Sequence, residues 1–140
     1  MNKNLINFQK INNRYEEIKG LLLDTPLLQS DEINSLFSSN IFFKAENLQK
    51  TGSFKFRGAC SAISSLSMEQ IKSGVVCFSS GNHAQGIALA AKLHKTTAKI
   101  IMPKDAPKIK IQNTKKYGAK IVFYDRDIDD RESIGEQIAH

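Results

Sequence analysis

The sequence predicts an α/β fold in which a parallel sheet is flanked by helices. In the second half of the chain, short apolar runs suited to strands alternate with segments of helical periodicity. The segments between the runs are long enough for the helical crossovers that join parallel strands. The composition, 41% hydrophobic and 24% charged over 140 residues, is typical of a globular domain. A chain of this length buries about two thirds of its unfolded surface.

The first half of the chain carries the weaker signals. Residues 1–20 are polar, and their apolar side chains are spaced for one face of a helix: Ile6, Ile11, Tyr15 and Ile18. Pro26 directs Thr25 into an extended path, because the residue before a proline avoids the α region. A strand is predicted over residues 41–46, and a helix is predicted over residues 56–66.

The second half alternates strands and helices in a regular order. The predicted strands are residues 74–79, 98–102 and 119–124. The first predicted helix covers residues 83–93. The second has Pro107 in its first turn and ends near Gly118. The last helix begins at Asp129 and Asp130 and runs into His140. This order predicts a parallel sheet with right-handed crossovers.

Charge and cysteine usage narrow the functional classes. The net charge is +6, and many of the lysines fall between residues 104 and 120. No stacking aromatics are interleaved with them, so a solvated helix face is favoured over a nucleic-acid surface. No apolar run approaches the roughly 20 residues that span a bilayer, and no secretory signal is recognisable. Cys60 and Cys77 fit no metal motif and indicate reduced thiols in the cytoplasm.

The segment 48–59, LQKTGSFKFRGA, contains the first candidate functional residue, Lys55. A lysine that forms an imine must be held at one point beside a pocket and must be able to lose its proton. The turn at Gly52 fixes the start of the predicted helix, and Phe54 and Phe56 can exclude water. On this chemistry alone, a solvated lysine at a helix start is the commoner outcome.

The segment 79–86, SSGNHAQG, is the second candidate. It follows an apolar strand and opens a helix, which is where open α/β sheets bind ligands. Free N–H groups and the helix dipole favour an anion there. The alternative is an ordinary strand-to-helix turn capped by serine. The segment is no nucleotide-phosphate loop, because Ile87 and Ala88 stand where lysine and serine or threonine are needed, and the dinucleotide-binding glycine pattern is absent.

Together the two segments resemble those of fold-type-II pyridoxal-phosphate (PLP) enzymes. Within that group they are most similar to the serine/threonine dehydratase (threonine ammonia-lyase) and serine racemase branch, and the resemblance runs from about Ile11 to the last residue. It implies a tryptophan-synthase-β-like fold, present here only in part, with PLP as cofactor. The implied reaction converts a small hydroxy amino acid, serine or threonine, to a 2-keto acid and ammonia.

The resemblance also implies a role for each site residue. Lys55 binds the cofactor covalently and removes the α-proton, Phe54 lies beside the cofactor, and Asn82 bonds its ring hydroxyl. Ser80 stands on the face opposite Lys55, as the serine of racemases does. Lys55 and Ser80 are therefore the expected catalytic residues. The expected substrate-carboxylate residues are Ser79, Ser80, Gly81, Asn82 and His83.

The resemblance further implies a division of the chain. Residues 1–73 are expected to belong to a large domain that carries the cofactor lysine, and residues 74–140 to a small βα domain that carries the carboxylate loop. No glycine-rich run follows Gly118, so the phosphate loop is expected beyond His140, and so are the metal ligands. No metal site is expected within the chain.

Three alternatives stay open at this point. The first is serine racemisation at the same site. The second is a non-catalytic fragment or a subunit that pairs with a separate carboxyl-terminal half; a complete form is expected to be a homo-oligomer. The third is a basic nucleic-acid-binding domain, which would leave both segments unexplained.

Overall fold

The structure, a computed structural model, describes residues 6–139, and the predicted end of the last helix at His140 lies outside them. The amino-terminal half contains short elements: α1 (Phe8–Ile18), β1 (Leu27–Leu28), α2 (Asp31–Phe37) and β2 (Phe43–Lys44). β1 and β2 pair antiparallel. The strand predicted over 41–46 contributes only two residues, because the chain turns at Ala45 into a short 3₁₀ helix, Glu46–Leu48.

Two helices follow in the middle of the chain. α3 (Lys55–Ser64) confirms the helix predicted over 56–66, although it begins one residue earlier and ends two residues earlier. The sequence predicts no helix at α4 (Met68–Ser73). Its start is fixed by a capping box in which the Ser67 side chain accepts from the Gln70 N–H and the Gln70 side chain accepts from the Ser67 N–H.

The second half forms the predicted parallel sheet. Its strands are β3 (Val75–Phe78), β4 (Ala98–Pro103) and β5 (Lys120–Tyr124), and they lie in the order β3-β4-β5. Its helices are α5 (Asn82–Leu93), α6 (Lys108–Lys116) and α7 (Arg131–Ala139). Both strand pairs are parallel, which confirms the predicted fold class.

The central strand β4 is buried on both faces of the sheet. Ile100 and Met102 join the core that α3 and α5 also line. Ile101, whose side chain is on the opposite face, meets α7 beside Gly135, where a Cβ would lie 3.5 Å from Ile101 Cδ1. The sheet is therefore covered on both faces, as a parallel sheet requires.

The most extensive packing between elements is that of α3 against α5. Phe56, Ala59 and Ile63 of α3 share one buried cluster with Ala84 and Ala88 of α5. This contact joins the segment that carries Lys55 to the segment that carries the second motif. The domain division at residue 73 stays a prediction. Among residues 6–139, no helix combines the length and the apolar character that crossing a bilayer requires.

Candidate active site

Lys55 is the first residue of α3, and a braced turn precedes it. Thr51 and Gly52 both adopt positive φ, 65° and 73°, which reverses the chain. The side-chain amide of Gln49 fixes this turn from behind: its Oε1 accepts from the Leu23 N–H at 3.0 Å and its Nε2 donates to the Leu23 carbonyl at 2.8 Å. Gln49 is buried, so the start of α3 is held at one place.

A close approach at Gly86 brings the second segment to Lys55. A Cβ at Gly86 would lie 3.3 Å from the Lys55 carbonyl carbon and oxygen and 3.4 Å from the Phe56 nitrogen. Only glycine lets the first turn of α3 lie so close to α5. The sequence does not reveal this contact, because nothing local to Gly86 encodes it.

The loop between β3 and α5 is organised by Ser79. Its Oγ accepts from the N–H groups of Gly81 at 3.3 Å and of Ala84 at 3.2 Å, so this side chain caps α5. The N–H groups of Asn82 and His83 lie in the first helical turn and have no acceptor among residues 6–139. They are available to an anion, whereas the Ser79 hydroxyl is already engaged by the backbone.

The charges around this loop are positive. Lys55 Nζ lies 5.0 Å from the centroid of the Phe54 ring, and Lys110 Nζ donates to Asn82 Oδ1 at 2.6 Å. Neither lysine has a carboxylate within ion-pair distance among residues 6–139. Burial and, second, the charge of Lys55 lower the pKa of His83, which favours a neutral imidazole. The site therefore suits an anionic ligand.

A half-buried ion pair anchors α3 at Arg57, two residues after Lys55. Arg57 donates twice to Glu46, from Nε and Nη2, each at 2.7 Å, and Thr25 Oγ1 donates to the same carboxylate at 2.6 Å. The hydrogen bond from Arg57 lowers the pKa of Glu46. Sequence reasoning missed this pair, because the only signal was the presence of Arg57 in the first motif.

The structure brings several of the predicted residues to one place. His83 lies within electrostatic reach of Lys55, Asn82 begins the same helix as His83, and the exposed Phe54 ring lies beside Lys55. Ser80 is half-buried in the loop. Their individual roles stay predictions.

The two cysteines lie outside this site. Both are unpaired, and burial raises the pKa of the Cys60 and Cys77 thiols to about 11. Thiols with a raised pKa are poor nucleophiles at neutral pH. Among residues 6–139, no group of three or more metal-ligating side chains is found.

Comparison with known proteins identifies relatives of this chain. The family described as "Pyridoxal-phosphate dependent enzyme" matches residues 18–140. The L-threo-3-hydroxyaspartate ammonia-lyase of Pseudomonas sp is 52% identical over 124 residues, which cover 89% of this chain and 39% of that protein. The serine racemase of Schizosaccharomyces pombe is 48% identical over 141 residues, which cover 99% of this chain and 44% of that protein.

A solved structure also matches most of this chain. The structure of maize serine racemase matches with a TM-score of 0.89 at 39% identity, covering 94% of this chain and 40% of that one. The chain therefore spans about two fifths of the length of the relatives that it matches.

Proposed function

Because the chain belongs to the pyridoxal-phosphate-dependent enzyme family, whose cofactor is PLP, we propose that it is the amino-terminal portion of a serine/threonine dehydratase. Such an enzyme converts a small hydroxy amino acid to a 2-keto acid and ammonia. The observation that carries the proposal is the close approach at Gly86, where a Cβ would lie 3.3 Å from the Lys55 carbonyl. This approach keeps the start of α3 against α5, the helix that follows the candidate anion-binding loop.

The residues present fit the cofactor. Lys55 offers an exposed amine without an ion-pair partner among residues 6–139, and the Phe54 ring lies beside it. Asn82 presents its amide at the start of α5, the helix that packs against α3. Lys55 would hold the cofactor covalently and Asn82 would bond its ring oxygen. When bound, PLP supplies the electron sink for the electron pair that remains on the substrate Cα after proton removal.

Lys55 is also the proposed base of the reaction. Its Nζ takes the proton from the substrate Cα, as a lysine held at a fixed point beside the substrate can do. The β-hydroxyl then leaves, and water replaces the amino group. The overall change loses one water, gains one water and releases ammonia, so no oxidant or reductant is needed.

The loop at the start of α5 would bind the substrate carboxylate. The N–H groups of Asn82 and His83 have no acceptor among residues 6–139, and the positive end of the helix dipole favours the anion. The lowered pKa of His83 keeps its imidazole neutral, so this side chain shapes the loop without adding a third charge to those of Lys55 and Lys110.

Serine racemisation at the same site is the second candidate. It is supported by the half-buried Ser80 in the loop and by the 48% identity to the serine racemase of Schizosaccharomyces pombe. Racemisation requires a proton donor on the face of Cα opposite the base, and the Ser80 hydroxyl would be that donor. Elimination does not require it.

Location and assembly complete the proposal. The two unpaired thiols fit a reducing compartment, and we propose the cytoplasm and a part in amino-acid metabolism. We also propose that this portion works with a carboxyl-terminal portion in a homo-oligomer, in keeping with the 39% of its relative's length that it covers.

The test is keto-acid formation by the complete enzyme that contains this portion. L-serine, L-threonine and L-threo-3-hydroxyaspartate are supplied with PLP, and the keto acid is measured. Lys55→Ala removes the attachment point and the base together, so the rate should fall by about a thousandfold or more. Lys72→Ala, which alters an exposed lysine of α4, is the matched control and should keep the rate. Near-normal keto-acid formation by Lys55→Ala would exclude the proposed mechanism.

A further inference from the structure

A hydrogen bond joins the first turns of α5 and α6 at the candidate site. Lys110 Nζ, in the first turn of α6, donates to Oδ1 of Asn82, the first residue of α5, at 2.6 Å. The two residues are 28 positions apart in the sequence, so neither motif contains the pair. The Lys110 side chain is half-buried.

An ammonium group can only donate hydrogen bonds, whereas an amide has an oxygen that accepts and an NH₂ group that donates. The two ends of an asparagine side chain have nearly the same shape, so its orientation is decided by its partners. Lys110 holds the oxygen of Asn82. The NH₂ group of Asn82 has no acceptor among residues 6–139 and remains free to donate.

The position of Lys110 is not explained by the stability of its own helix. The first turn of α6 contains no acidic residue, and cations near a helix amino terminus oppose the helix dipole. Among residues 6–139 no carboxylate lies within ion-pair distance of Lys110. Its one described polar contact is the bond to Asn82.

From this geometry we infer that Lys110 is a positioning residue that locks the Asn82 amide with its NH₂ group as a donor to the cofactor. This inference rests on the proposed function. An Asn82 that can only donate would favour a cofactor ring oxygen that accepts, which is the ionised form of the ring hydroxyl. The positive charge of Lys110 acts in the same direction.

The first arm of the test needs no cofactor. In the ¹⁵N-labelled full chain, Lys110→Met removes the cation and keeps the length of the side chain, and Lys110→Arg restores a group that can only donate. The side-chain amide resonances of Asn82 should move in Lys110→Met and return in Lys110→Arg. Lys108→Met, at an exposed lysine of the same turn, should leave them in place. Unmoved Asn82 resonances in Lys110→Met would overturn the inference.

The second arm uses the complete enzyme that contains this portion and measures its binding of PLP and of 3-deoxypyridoxal phosphate, which lacks the ring hydroxyl. Lys110→Met should weaken PLP by about tenfold, as expected for a lost hydrogen bond to a charged group. The same substitution should leave the affinity for the deoxy analogue unchanged, because that ligand has no ring oxygen for Asn82 to bond. The effects of removing the lysine and of removing the ring hydroxyl are then coupled. An equal loss of affinity for both ligands, or no loss for either, would overturn the inference while the proposed function stands.

The remaining outcome separates the two claims. If the unsubstituted complete enzyme shows no binding of PLP, the proposed function is contradicted, and with it the role of Asn82 toward the ring oxygen. The Asn82 resonances then still decide whether Lys110 orients the amide. Thermal unfolding of the three variants shows whether each is folded before its resonances and affinities are compared.

Discussion

Ser80 distinguishes the two reactions proposed for this site. Racemisation needs a proton donor on the second face of the substrate Cα, and elimination needs only the base on the first face. In the complete enzyme, Ser80→Ala should therefore suppress D-serine formation far more than pyruvate formation from L-serine. Chiral chromatography and a keto-acid assay on the same samples measure both products. Equal loss of the two products would show that Ser80 serves binding alone.

The residues of the site differ in how well the sequence predicts them. Lys55 and the loop around Asn82 are local motifs, so their residue types and spacing can be recognised along the chain. Lys110 and Glu46 reach the site from other elements, through a bond of 2.6 Å to Asn82 and bonds of 2.7 Å to Arg57. Such contacts are set by tertiary packing and leave no signal in the spacing of residues.

At the scale of elements, the contact between α3 and α5 positions the site. Gly86→Ala places a methyl group 3.3 Å from the carbonyl of Lys55, and a helix backbone cannot yield without moving the whole helix. The free energy of unfolding should fall by about 1–3 kcal/mol, as for other overpacked cores. Urea denaturation of the full chain measures it.

The matched control is Gly58→Ala in α3. Nothing lies within 4 Å of a Cβ at this position. Alanine favours the helix by about 1 kcal/mol over glycine, so this variant should be stabilised or unchanged. If both variants lost the same stability, the close approach at Gly86 would not be what holds Lys55 against the loop.

The elements with strong periodicity were predictable, and the short ones were not. The three strands of the parallel sheet and the helices α5 and α6 lie where apolar patterns and Pro107 predicted them. α2 spans seven residues and α4 spans six, which is too short for a periodic pattern to show. Both depend on serine caps, Ser30 and Ser67, and caps are weaker signals than periodicity.

At the scale of the whole molecule, the parallel sheet and its flanking helices follow from the order of strands and helices in the sequence. The packing of the amino-terminal half does not. One continuous core runs from Ile18 through α3 and α5 to β4, because α3 buries Phe56 and Ala59 against the sheet-covering helix. Side chains far apart in the sequence decide this packing, so it could not be derived from local patterns.

One large groove of the described residues is lined by none of the predicted site residues. It has a volume of about 640 Å³ between α1 and α3 and is lined mainly by apolar side chains, among them Phe8, Ile11 and Tyr15. The size of a cavity therefore does not identify the site here. The candidate site rests instead on the chemistry of Lys55 and of the loop that precedes α5.

The central claim is that Lys55 is the cofactor lysine, and selective labelling of the intact chain tests it most directly. The chain is incubated with PLP, reduced with borohydride and digested, and the modified lysines are identified by peptide mass. The label should concentrate on Lys55, even though many lysines of this chain of net charge +6 are exposed, and Lys55→Ala should lose that peak. Lys50 is a nearby control, because its Nζ donates to the Leu21 carbonyl at 2.6 Å. A label spread over surface lysines with no preference for Lys55 would contradict the assignment.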